Sequence, residues 1–278
     1  MQQAPLPALA GLVKSVWLGM PGEASHPREH MLPTGEMHVV FRLSGPAVRI
    51  FRDGHADATQ SLGHALASGA RTRHYVKAVA SSESAGVQLL PGAAQVLLGL
   101  PADELCEQHV RLDDLWGASA GLMREQLLEA SSPAQKMLRL QTLLLARLQP
   151  APASSTLFMV KRAVAQLKAG ISVRQVAAHS GYSHRQFIRL FSETVGLSPK
   201  LYSRVRRFQH ALELMQRTGT GTWMELADVA MEAGYNDQPH FNRDFREFSG
   251  LTPELYRRAP VVSPNHVPVS GARSSPKY

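Results

Sequence analysis

One cysteine, Cys106, occurs in 278 residues. No internal disulfide can form, which excludes the disulfide-stapled class of small secreted domains and fits a reducing compartment. Long uncharged apolar runs are missing as well, and nothing approaches the roughly 20 residues that a bilayer-crossing helix needs. The N-terminal MQQAPLPALAGLVKSVW has neither a basic start nor a long apolar core, so no signal peptide is expected. Together these absences predict a cytoplasmic protein with no membrane contact. There is no Gly-rich phosphate loop and no nucleophile elbow, so nucleotide-hydrolase and serine-hydrolase readings have no motif behind them. Histidines are present (His26, His30, His38, His55, His64 and His74, with Glu36 nearby in sequence), but only His26 and His30 are closely spaced and Pro27 lies between them in an expected loop. No metal and no cofactor is expected.

The chain does carry an excess of positive charge, and its placement is informative. The formal net charge of +8 is zero over Met1 to Ser155, +6 over Thr156 to Arg258, and +2 over the tail. A positive field confined to one region is the footprint of a surface that neutralises phosphates.

That same region contains a duplication. VAAHSGYSHRQFIRLFSETVGLSPKLYSR (176–204) and VAMEAGYNDQPHFNRDFREFSGLTPELYRR (229–258) come into register when Pro239 is treated as an inserted residue. Each copy has the pattern of two short helices about a turn. In the first, Ser172 with Gln175 has capping-box spacing, Val176 and Ala177 are apolar, Gly181 breaks the helix, and Ser183 with Gln186 starts another. Phe187, Leu190 and Phe191 then recur at i, i+3, i+4 and mark the buried face. In the second copy Thr222 and Glu225 take the box positions, Leu226, Val229 and Ala230 the apolar side, Gly234 the break, and Asp237 the cap of a helix carrying Phe241 and Phe245. Pro199 and Pro253 stand at N1 after Ser198 and Thr252. Between the units, a helix from Pro199 to about Arg217 is expected, with the stripe Leu201, Val205, Phe208, Leu212, Met215. At 1.5 Å per residue it is roughly 27 Å long, which with the flanking helices sets the two second helices about one DNA turn, ~34 Å, apart.

With the phenylalanines buried, His184, Arg185, Ile188 and Arg189 face outward in the first unit, and Gln238, His240, Asn242 and Arg243 in the second. Arg bonds guanine O6 and N7, and Asn or Gln bonds adenine, in the major groove. The paired units, the Gly-Tyr turn, Phe-x-Arg-x-Phe (241–245) and Gly-Leu-Thr-Pro-x-x-Tyr-Arg (250–257) resemble the DNA-binding domain of AraC/XylS-type transcription regulators. The resemblance covers about residues 156–258. It implies base contacts from Arg185, Ile188 and Arg189 and from Gln238, Pro239, His240 and Arg243, and double-stranded DNA as partner, with RNA polymerase a second. Ile188 and Pro239 depart from the polar pattern and offer apolar contact only. Phosphate contacts are expected from Arg204, Arg206 and Arg207 and from helix N-terminal amides. Arg243 has a second reading, a structural bond to a neighbouring helix end.

The first half has another texture. VKSVWLG, MHVVFRL, AVRIF, a segment near Gln60–Gly63, RTRHYVKAVA and AGVQLL read as short strands of a small barrel or sandwich, with a buried strand at Val39–Leu43. Helices follow at Ala93–Leu100, Ala102–Cys106, Leu112–Trp116, Ser119–Glu129 and Ala134–Leu148, the last capped by Ser132-Pro133. GVQLLPGAAQVLLGLPADEL, VRLDDLWG and SSPAQKMLRLQTLLLARL resemble one subgroup of the cupin-like sensor domains that precede AraC-type domains. That implies a regulatory domain and an unidentified small-molecule effector. The fold class expected is therefore α+β: a cupin-like domain at 1–150, a linker QPAPASS (149–155), the all-α double helix-turn-helix domain at 156–258 opening on a helix Leu157–Ala169, and a disordered tail at 259–278.

Several readings stay open at this stage. The leucine-rich helix 134–148 fits a homodimer interface and packing on the barrel equally well. Trp17, Trp116 and Phe41 fit an effector pocket or a core. Cys106, placed in an amphipathic helix, reads as a packed thiol. The alternative to a regulator is a DNA-binding enzyme or repair regulator with a catalytic N-terminal half using that cysteine, but no Pro-Cys-His context supports it.

Overall fold

The computed structural model describes residues 1–22, 26–51, 59–150, 154–216, 224–260 and 263–269. Its first half is built on two antiparallel sheets. The strands are β1 (Gln2–Gln3), β2 (Val13–Gly19), β3 (Arg28–Met31), β4 (Met37–Arg42), β5 (Arg49–Phe51), β6 (Thr59–Ser61), β7 (Ala65–Ser68), β8 (Tyr75–Ala78), β9 (Ser84–Leu89), β10 (His109–Arg111) and β11 (His266–Pro268). One sheet runs β1-β2-β9-β4-β7-β10 and the other β11-β3-β8-β5-β6.

Register explains which face is buried. Val16 stands opposite Val87, Val87 opposite Val39, and Val39 opposite Ala67, so four small apolar residues form one row across β2, β9, β4 and β7. All four are fully buried. After helix α1 (Ala93–Leu98), the helices α2 (Leu112–Trp116), α3 (Ala118–Glu129) and α4 (Pro133–Leu145) contact these strands, and Phe41, Trp116, Leu127, Leu140 and Leu144 belong to the same core. On the opposite face Val40 and Leu66 meet Val48, Ile50 and Tyr75 of the second sheet. Two sheets, each with a period-2 pattern, thus close on one another. The expected β-rich first domain is found, and the segment 39–43 is buried except for half-buried Val40.

Helix α4 begins where the Ser132 hydroxyl accepts from the Gln135 amide. Met137, Leu140 and Leu144 go inward, whereas Leu138 and Leu148 stay 52% and 40% exposed, so packing on the barrel accounts for most of the stripe but not all of it. Phe41 and Trp116 are core, with the indole N–H donating to the Leu97 carbonyl at 3.2 Å. Trp17 lies across Gly86, where a Cβ would come within 2.3 Å of the ring.

The second half is helical: α5 (Ser154–Lys168), α6 (Val173–Ala178), α7 (His184–Val195), α8 (Pro199–Gln216), α9 (Leu226–Glu232), α10 (Gln238–Ser249) and α11 (Pro253–Arg258). Its core is continuous with that of the barrel. Gly92, in the left-handed region, lets its amide donate to the Thr194 carbonyl at 2.9 Å, and Gly196 sits against Ala70 and the Ala102 carbonyl. The end of α7 is therefore seated on the first half, as is the end of α10, where the His74 amide donates to the Phe248 carbonyl at 2.9 Å.

Four expectations are corrected. His26–Met31 is not a loop throughout, because β3 pairs there with β8. Ala102–Leu105 is a 3-10 turn and Cys106 follows it, so no amphipathic helix holds the thiol. The tail is ordered over Ser263–Val269, where β11 pairs with β3. Helix α9 starts after Glu225, whose side chain makes no capping bond. Thr222, the expected cap, lies outside the described residues with Arg217, His55 and part of the 149–155 linker. Among the described residues no three His, Cys, Asp or Glu side chains gather as a metal site, and no helix is long and apolar enough to cross a membrane.

Glu29 on β3 links the tail to the barrel. Its carboxylate lies 2.7 Å from Lys77 Nζ and 3.2 Å from His266 Nδ1. Burial alone would raise its pKa, but the hydrogen bond with His266 and the charge of Lys77 prevail and hold it at about 2 against an ordinary 4.5. A depressed carboxylate stabilises the fold above its unfolded pKa, and that contribution fades as pH falls from 4.5 toward 2. Glu29→Gln is expected to reduce the stability difference between pH 7 and pH 2.5 by about 2–3 kcal/mol, read by urea unfolding at the two pH values.

Candidate nucleic-acid interface

Local chemistry positions both α7 and α10. In the first unit Ser172 and Gln175 close a full capping box on α6, Gly181 turns the chain at φ +79°, and the Ser183 hydroxyl accepts from the Gln186 amide at the start of α7. In the second, Gly234 turns at φ +84° and the Asp237 carboxylate accepts from the His240 amide at 2.6 Å to start α10. Positive φ at these positions is open to glycine and strained for other residues.

These caps fix the register between the copies. Counting from Ser183 and from Asp237, Phe187 and Phe241 are both the fourth helical residue, so the extra residue of the second copy lies in the turn before the cap and not at Pro239. His184 then matches Gln238, Arg185 matches Pro239, Gln186 matches His240, Ile188 matches Asn242 and Arg189 matches Arg243. Gln186 was missing from the sequence-based site. Its backbone serves the cap, while its exposed side chain makes no hydrogen bond among the described residues. The signal that would have found it is the equal spacing from cap to phenylalanine.

Each helix is held by its aromatic face. Phe187 and Phe191 are fully buried, with Phe191 edge-on to Tyr202 of α8 at 5.7 Å. Phe241, Phe245 and Phe248 are fully buried around Phe208 of α8 and Tyr256 of α11, with centroids 5.2–5.6 Å apart. Such edge-to-face pairs add to the burial itself.

The opposite faces carry the candidate contacts. His184, Arg185, Arg189, Pro239 and Arg243 are exposed, and Ile188, Gln238, His240 and Asn242 are half-buried. Ile188 packs against the core, and His240 lies edge-on to Tyr235, with Nε2 3.9 Å from Asp244. Arg189, exposed, pairs with half-buried Glu193 one turn on at 3.0 Å, a surface contact of little energy. Arg243 has no hydrogen bond or ion pair among the described residues, so the structural reading of this side chain finds no partner.

The three arginines of α8 divide. Arg204 bonds Asp244 at 2.7 Å and Glu247 at 2.6 Å and lies 4.9 Å from the Phe248 ring centre. The bonds from Asp244, only partly offset by burial, hold the guanidinium above its ordinary pKa. Arg207 donates to the Gly234 carbonyl at 3.2 Å and covers Tyr235 at 4.9 Å. Both brace α8 against the second unit. Arg206 is half-buried with no such partner and is the freer of the three.

A cleft of about 250 Å³ lies between the barrel and α5, α7 and α8. Met37, Leu89, Val164 and Tyr202 supply apolar wall, and Lys14, Lys161 and Lys168 supply charge. Among the described lining residues Glu36 is the one acid, and it already bonds Lys14 at 2.8 Å and Gln88. Burial, then Arg206, lower the pKa of Lys168. Cys106, by contrast, is unsuited to nucleophilic work, because burial and the adjacent Glu107 raise its thiol pKa.

Comparison with known proteins agrees with this geometry. Residues 176–259 match a family described as helix-turn-helix domain, and residues 1–111 match a domain of unknown function, DUF6597. The transcriptional activator AarP of Providencia stuartii is 31% identical over 87 residues, 31% of this chain and 62% of its own. The F1 operon positive regulatory protein of Yersinia pestis is 31% identical over 93 residues, 34% of this chain and 30% of its own. The matched stretch thus spans under two thirds of these relatives. A crystal structure of ToxT from Vibrio cholerae aligns over 88% of this chain and 98% of its own at 10% identity, with a TM-score of 0.45, a loose likeness.

Removing a brace and removing a free arginine should differ sharply. Arg204→Ala leaves Asp244 buried without its main partner and is expected to cost about 3 kcal/mol, whereas Arg243→Ala should stay within about 0.5 kcal/mol of the parent, both measured by thermal and urea unfolding. With its capped duplicate units, buried aromatic faces and family match, the segment 176–259 is an AraC-type helix-turn-helix domain.

Proposed function

We propose that the chain is a sequence-specific DNA-binding transcription regulator that reads two successive major grooves with α7 and α10. The observation that carries this reading is the pair of capped helices presented by one 18-residue helix, about 27 Å long, with their phenylalanines buried and their polar first turns outward. Arg185, Gln186 and Arg189 read one segment, with Ile188 touching a thymine methyl; Gln238, His240, Asn242 and Arg243 read the other, with Pro239 in apolar contact. His184 and Arg206 take phosphates, and Arg204 and Arg207 act as braces. The names of AarP and the Yersinia pestis protein support activation, and contact with RNA polymerase follows from that. The enzyme alternative has no support from Cys106.

Selection from a random DNA pool tests this. The chain is expected to enrich an asymmetric site with two contacted segments about one helical turn apart, and no enrichment would reject the reading. On the selected site Arg243→Ala should weaken binding by about 1–3 kcal/mol and relax preference at one base pair. An equal loss on all sequences would make Arg243 a phosphate contact. A site doubled about a two-fold axis would support homodimers, for which Leu138 on the outside of α4 and Leu148 just past its end are the candidate contacts.

We further propose that the cleft between the domains seats the effector, an anionic molecule with an apolar body. Three ammonium groups against one already-paired carboxylate leave uncompensated positive charge beside apolar wall. A series of alkyl carboxylates and their methyl esters tests it by thermal shift. The acids should raise the melting temperature and the esters should not, and Lys168→Glu should abolish the shift; equal effects of acid and ester would sink the proposal.

A further inference from the structure

The segment after the last helix returns to the first domain. Strand β11 pairs antiparallel with β3, His266 opposite Met31, Val267 opposite His30 and Pro268 opposite Glu29. The pairing is extended by Leu32 N–H to the Asn265 carbonyl at 2.9 Å and Val269 N–H to the Arg28 carbonyl at 3.0 Å. Val267 is 1% exposed and belongs to the main core. This is the edge of the five-stranded sheet, so the tail covers a row of backbone groups that would otherwise face water.

The same segment grips the DNA-binding domain. The Tyr256 hydroxyl donates to the Pro264 carbonyl at 2.9 Å and itself accepts from Gln216 Nε2 at 3.1 Å, which ties α11, the tail and the end of α8 together. Gln209, buried on α8, donates through Nε2 to the Asn265 side chain at 2.7 Å and to the Pro33 carbonyl at 2.8 Å. One amide therefore bonds both sides of the junction between the tail and the residues after β3. His266 adds its contact with Glu29.

The two units are held on the barrel by different means. The end of α7 is seated directly, through Gly92, Ala70 and the 3-10 turn Ala102–Leu105. The end of α10 has the His74 amide bond to Phe248 and the His74 ring against Gly250. Further ties run through Tyr256, Gln209 and the tail.

We propose that Ser263–Val269 is a strap that seats the second helix-turn-helix unit on the barrel, an intrachain contact through which the state of the barrel reaches α10. The consequence for DNA rests on the function proposed above. The seating itself does not, and it can be tested without DNA.

Site-resolved hydrogen exchange on the chain ended at Pro260 makes that test. Three amides report: Leu32, bonded to the strap; His74, bonded to the second unit; and Gly92, bonded to the first. Exchange at Leu32 and His74 is expected to quicken about tenfold or more, with Gly92 unchanged and a chain ended at Val269 behaving as the parent. Faster exchange at Leu32 alone would overturn the proposal, because the strap would then be a local decoration. Equal acceleration at all three would overturn it too, because the strap would then support the whole fold. Should the shortened chain fail to fold, Asn265→Ala in the full chain keeps the test, with the same order of effects at smaller size; no effect at His74 would again reject it.

Discussion

Both α7 and α10 depend on one constraint, the burial of an aromatic face onto α8. Phe187 and Phe191 turn α7 in one direction, and Phe241, Phe245 and Phe248 turn α10 in the other copy in the same way. A 12-residue helix is marginal by itself. Packed through such a face, it has one orientation, and its polar first turn has nowhere to go but outward. The capped starts and the left-handed glycine turns refine that orientation; they do not create it.

Charge on α8 serves this packing first. Arg204 sits in a fork of two carboxylates over a phenylalanine ring, and Arg207 bonds the turn of the second unit. An arginine so engaged contributes to the positive field at a distance but is not free to fold over a phosphate. The net charge of the domain and the list of its contact residues are therefore different quantities, and only the first can be counted from composition.

The domains are joined more closely than a linker and a tail suggest. The core runs from the barrel into the helical half, the ends of α7 and α10 rest on the barrel, and β11 closes the edge of the smaller sheet. The lysine-lined cleft lies at this junction, so a molecule bound there touches the barrel and α5, α7 and α8 together. Binding that favours one arrangement of these elements shifts the whole, since allosteric coupling needs only differential contacts in two states.

The sequence by itself determined the duplicated units, the caps at Ser172, Ser183 and Asp237, the buried phenylalanines and the strand-rich first half, because each is a local pattern: i, i+3, i+4 spacing, Ser or Asp before a helix, glycine at a turn, alternation in strands. The exposure of Arg185, Arg189 and Arg243 was legible for the same reason, as they are left over once the apolar face is assigned. Tertiary structure decided what depends on partners distant in the chain. Gln186 joined the candidate site only when the caps placed the extra residue in the turn. Arg204 left the set of free phosphate contacts because Asp244 and Glu247 lie 40 and 43 residues away in sequence. The tail, poor in periodicity, became a strand because β3 offers an unpaired edge, and a strand's hydrogen bonds are satisfied by its neighbour and not by its own sequence.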